Sequence, residues 1–119
     1  MKVPVLKLNE ATQNGRIYPD YVVADSVANA QLPLFGTFGC TGKVHLELGE
    51  VSHRVSELKI ENDQLVANVE ILNTPRGTVL SKALSQNQDI KFHAVGTGMV
   101  DDDGVVSEYS LISVSVTMI

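Results

Sequence analysis

Hydrophobic and polar residues alternate along most of this chain, and the alternation predicts strands. KVPVLKL at 2–8 alternates, and Pro4 places that strand at a sheet edge or near its own start. LFGTF at 34–38 reads as a short strand and VHLEL at 44–48 as another. Val51, His53 and Val55 share one parity and Leu58 and Ile60 the other, so a bulge is expected near Ser56-Glu57. Asn62-Asp63 then turns the chain into a partner strand over 64–72, with Leu65, Ala67, Val69 and Ile71 on one face. Residues 89–100 form a strand loosened by Gly96 and Gly98, Asp101 to Gly104 a turn, and 105–118 the last strand.

The period changes twice to that of a helix. Over about 20–30, Val23, Val27 and Ala30 fall on one side, with Asp20 as the expected cap and Pro33 beyond the end. Thr74-Pro75 pairs an N-cap residue with proline at the first helical position, and Val79, Leu80, Ala83 and Leu84 follow at helical spacing until Gln86-Asn87-Gln88. Asn14-Gly15 marks a turn that Pro19 closes. The sum is about seven strands and two helices. The expected fold is α+β and β-rich, a mostly antiparallel, barrel-like sheet in one domain spanning 1–119.

Composition narrows the function. A 119-residue chain that is 44% hydrophobic can bury one core without staples, and with 5% aromatics and no Trp that core must be Val, Leu and Ile. The nine basic residues are scattered and the net charge is −5, which argues against nucleic-acid binding. No apolar run approaches a membrane span, and the opening MKVPVLKLNE does not read as a signal peptide. The single cysteine, Cys40, cannot form an internal disulfide, so folding in a reducing cytoplasm is expected.

Candidate chemistry is sparse. His45, His53, His93 and Cys40 lack the spacing of a zinc site, and no metal or other cofactor is expected. The Asp101-Asp102-Asp103-Gly104 run lacks the ligand spacing of a calcium loop and reads as a hairpin turn. Gly96-Thr97-Gly98, with no helix after it, reads as a bend or a close-packing site and not as a phosphate cradle. The alternation that ends in Val114, Val116, Met118 and Ile119 offers a contact edge for a neighbouring subunit, or equally an internal strand with one solvated face.

Five strings in order resemble one family. Asn14-Gly15-Arg16-Ile17-Tyr18-Pro19 resembles the "NGRIYP" opening of the prohead core proteases of tailed phages. Leu34 to Phe38 resembles the start of their "LxGELxHP", Val51-Ser52-His53 their "VSH", Ile71 to Gly77 their "ILxTPxG", and Gly96-Thr97-Gly98 the end of their "SSRGxG". The resemblance covers about 12–118 and implies a fold like the herpesvirus assemblin barrel. It also implies where a catalytic trio would stand, and the residues there differ. Cys40 or a neighbour occupies the histidine position, His93-Ala94-Val95-Gly96 replaces the serine segment, and Ser115 falls near the late acidic position. Serine acyl transfer needs a hydroxyl, a base and an orienting group together.

The resemblance therefore implies a catalytically degenerate homologue. The expectation is a non-enzymatic virion protein: a capsid decoration or cement protein, or a minor capsid subunit. It would be made in the host cytoplasm, bind the major capsid protein and copies of itself as a homo-oligomer, and engage neither nucleic acid nor membrane. Two alternatives stay open. One is a capsid-maturation peptidase using a swapped Cys40–His93 dyad. The other is a non-virion assembly factor or small-molecule binder with an apolar cavity around Cys40, His53 and His93.

Overall fold

The structure is a computed structural model, and it describes residues 1–38 and 51–118. Among the described residues, six strands and two helices follow in the order β1 (Lys2–Lys7), α1 (Asp20–Asn29), β2 (Leu34–Gly36), β3 (His53–Glu61), β4 (Gln64–Ile71), α2 (Pro75–Ser85), β5 (Ile90–Val100) and β6 (Val106–Met118). The expected strand at 44–48 and the loop at Gly39 to Gly42 lie outside the described residues.

The strands form two sheets and not a closed barrel. One is four-stranded in the order β1-β4-β3-β2, and the other is the β5–β6 hairpin. Every pairing within these sheets is antiparallel. Between β2 and β6 the sheets are stitched by a parallel bridge from Phe38 to Val116 and by the Val116 N–H donating to the Thr37 carbonyl at 3.1 Å. No ladder joins β1 to β5 among the described residues, so the circuit stays open there.

Local chemistry explains the registers. Asn62 and Asp63 both adopt positive φ, 50° and 59°, as a two-residue hairpin turn demands, and they set Glu61 opposite Gln64. The pairing then slips between Val55 and Glu57, leaving Ser56 as the bulged residue. That slip keeps both Val55 and Leu58 in the core although their parities differ. The core itself is aliphatic, with Leu8, Val23, Val55, Leu65, Leu80, Val114 and Val116 fully buried. Each such side chain contributes about 1.5–3 kcal/mol of burial.

Helix α1 begins without the expected cap. Pro19 holds the N-cap position, while Asp20 is the first helical residue and accepts from the Tyr21 N–H at 2.7 Å. The backbone N–H of Asp20 donates instead to the Asn9 side chain at 3.0 Å, which ties the helix start to the end of β1. In α2 the reading from sequence holds: the Thr74 hydroxyl oxygen accepts from the Gly77 N–H at 2.9 Å, with Pro75 behind it. The same hydroxyl donates to the Val51 carbonyl, anchoring the helix to the chain entering β3. Thr74→Ala is expected to cost about 1–2 kcal/mol, a loss of several degrees in Tm by circular dichroism, and Thr74→Ser should recover most of it.

Candidate functional site

The molecule holds two polar arrangements with site-like chemistry, one in a groove and one in the core. The groove, about 860 Å3, lies between β1 and the first half of β5, and Tyr18, Leu84 and Gln64 help to line it. His93 stands in its wall. It is half-buried and is the cross-strand partner of Ser115 on β6. Its pKa lies below the ordinary 6.5, first because burial disfavours the imidazolium, then because the Lys91 ammonium repels it; a hydrogen bond to the Lys91 backbone opposes both. No carboxylate is among the groups that shift it. The groove thus presents a neutral imidazole beside a hydroxyl-bearing strand, with no acidic side chain lining it among the described residues.

The second arrangement was not read as a site from the sequence. Ser52 and His53 are both fully buried at the start of β3. The Ser52 hydroxyl lies 2.6 Å from His53 Nδ1, and His53 Nε2 lies 2.5 Å from the Val114 carbonyl of β6. A carbonyl only accepts, so Nε2 carries the proton, and in the neutral ring Nδ1 accepts from Ser52. Phe92 presents its ring edge-on to the imidazole, with centroids 6.0 Å apart. Burial pushes the His53 pKa down, and the bond to Val114 opposes that shift. Gly36 makes the contact possible: a Cβ there would stand 1.9 Å from the Val114 carbonyl oxygen and 2.4 Å from His53 Nε2. Beside it the Ser113 hydroxyl donates to the Phe35 carbonyl at 2.6 Å.

This cluster is a structural clasp. It has a serine and a histidine in hydrogen-bond contact, yet neither reaches solvent, so no substrate can approach the hydroxyl. Its bonds run from β3 and β2 to β6, joining the two sheets where backbone pairing alone is thin. The signal was available in the sequence: His53 shares core parity with Val51 and Val55, and a histidine on a core face needs partners for both nitrogens.

The other expected residues disperse. His53 packs against Phe92, and His93 follows Phe92 on the same strand, so His53 lies against one face of β5 while His93 projects from the other. The groove holds His93 without His53. Cys40, His45 and Ile119 lie outside the described residues. Among those described, no three side chains gather as metal ligands, and no helix is long and apolar enough to cross a membrane. Val114 and Val116, named as contact residues, are fully buried in the hydrophobic core, so their side chains are not available to a neighbour. Met118 is 56% exposed. The glycine segment does serve close packing, because a Cβ at Gly96 would stand 2.6 Å from the Tyr109 ring.

The comparisons with known proteins agree with this architecture. No family model matches the chain, and no curated protein matches it. Among solved structures the fold is prohead-protease-like. In particular it is similar to the bacteriophage T4 capsid assembly protease, gp21, with a TM-score of 0.84 at 13% identity, over 99% of this chain and 80% of that one.

Proposed function

We propose that the chain is a tailed-phage virion protein that works by association and not by catalysis: a capsid decoration or cement protein, or a minor capsid subunit. One observation carries this reading. On a fold similar to that of a capsid assembly protease, the β5 position that the motif resemblance gives to a nucleophilic serine holds His93, paired across the hairpin with Ser115. The Ser52–His53 pair is sealed in the core and cannot substitute for it. A rigid domain of this kind gains from repetition, since a symmetric shell offers many equivalent sites and a modest contact suffices at each. The partners are the major capsid protein and further copies of this chain, and the acidic surface suits the outside of a shell filled with nucleic acid.

Quantitative mass spectrometry of purified virions tests the proposal. A copy number comparable to that of the major capsid protein supports decoration, and a lower fixed number supports a minor subunit. Absence from the virion overturns both. A second reading has one observation in its favour: the neutral His93 imidazole in an open groove is a competent general base. Under that reading the protein cleaves capsid or scaffold chains, and the cleavage disappears in both Cys40→Ala and His93→Ala.

A further inference from the structure

We propose that the outer edge of β5 over residues 96–100 is a self-recognition strand, which pairs antiparallel with the same edge of a second copy of this chain. The β5–β6 hairpin has two outer edges, and they are treated differently. The β6 edge is held at three points: the Val106 N–H donates to the Ile17 carbonyl, the Leu111 N–H to the Ser26 hydroxyl, and the Val116 N–H to the Thr37 carbonyl. The outer edge of β5 has no backbone partner among the described residues. Thr97, Gly98, Met99 and Val100 are all exposed, Met99 by 61% and Val100 by 42%.

The outer edge of β1, also without a ladder among the described residues, is guarded. β1 carries Lys2 and Lys7 at its ends, Pro4 within it, and a register slip between Pro4 and Leu6. Lysine, proline and bulges are the devices that keep an edge from pairing with another chain. From Phe92 to Val100 the β5 edge has neither a formal charge nor a proline.

The sequence also fits its own two-fold image. With the axis at Gly98, Thr97 stands opposite Met99 of the second copy, and Gly96 opposite Val100. Each large residue then faces a small one on both sides of the axis. The triple-aspartate turns fall at opposite ends of the paired strands, about 20 Å apart at 3.4 Å per residue. That is about twice the Debye length at physiological salt, so their repulsion is screened. The pairing uses up the free edge of each copy, so it closes at a dimer with a continuous four-stranded ribbon. The interaction does not depend on the function proposed above, and a capsid role survives its failure.

Sedimentation velocity on the full chain over a roughly hundredfold concentration range tests this. The mass should rise from 12.9 kDa toward twice that value. Thr97→Lys and Met99→Lys, both at exposed sites, should weaken the dimer by roughly tenfold or more while leaving the melting temperature unchanged at dilutions where the chain is monomeric. Hydrogen exchange on the unaltered chain gives a second readout: amides within 96–100 should gain protection as concentration rises. A monomer at every concentration overturns the proposal, as does a dimer indifferent to Thr97→Lys or one whose new protection lies elsewhere. If the chain stays monomeric and an extended segment of the capsid protein protects those amides, the edge serves a different chain and self-recognition is refuted.

Discussion

Replacing His53 with alanine is expected to destabilise the protein by about 4 kcal/mol, enough to lower Tm by some 15 °C. The imidazole is fully buried, and its removal does three things at once. It opens a cavity against Phe92, strips the Val114 carbonyl of its donor, and leaves the Ser52 hydroxyl without its acceptor. His53→Gln retains polar atoms and most of the volume, so it should lose less, and thermal denaturation of the two variants separates packing from hydrogen bonding.

The same residue governs acid stability. The folded-state pKa of His53 lies below 6.5, while the unfolded chain titrates near that ordinary value. Between the two the unfolded state binds more protons, so falling pH favours unfolding. The contribution of His53 is therefore complete above about pH 6.5, declines as pH falls below it, and stops changing once the folded-state pKa is passed. His93 shifts in the same direction and adds to the slope. In urea melts from neutral to mildly acidic pH, the stability of the unaltered chain should fall through this window, and His53→Gln should flatten the curve more than His93→Gln does.

The second large effect belongs to Gly36→Ala. The added methyl would collide with the Val114 backbone oxygen and with the His53 ring, neither of which can swing away. β2 would have to draw back from β6 and break the clasp, at a cost of about 3 kcal/mol or more. Because Gly36 and His53 act on one contact, the double variant should lose less than the sum of the singles, and a double-mutant cycle from denaturant melts would show it. Additive losses would show that the two residues stabilise the fold independently.

How much of this was legible beforehand follows the range of the interactions. The hairpin at Asn62-Asp63, the bulge at Ser56 and the Thr74 cap are decided within a few residues, and periodicity and turn chemistry revealed them. The Asp20 cap failed because Pro19 can hold the extended N-cap conformation while Asn9, distant in sequence, takes the Asp20 N–H. The barrel expectation failed because nothing local states that, among the described residues, β1 and β5 form no ladder and β2 and β6 meet through a single bridge. The site was hardest. The alternation at 114–118 was correct, but alternation does not say which face meets a neighbour, and the face carrying Val114 and Val116 fills the core. The His53 clasp joins residues 61 positions apart, a separation no local pattern encodes.

The tyrosines give the molecule an optical reporter. The protein has no Trp and three Tyr. Tyr18 meets Tyr109 edge-on at a centroid distance of 5.4 Å, and Tyr21 is 72% exposed. Burial, and then the neighbouring Tyr18 phenol, raise the ionisation of Tyr109 far above the usual phenolic range. Ultraviolet absorbance during alkaline titration will therefore resolve a late-ionising phenol. Its early appearance would signal that the segment leading into α1 has lifted from the hairpin, a local detachment visible without any added label.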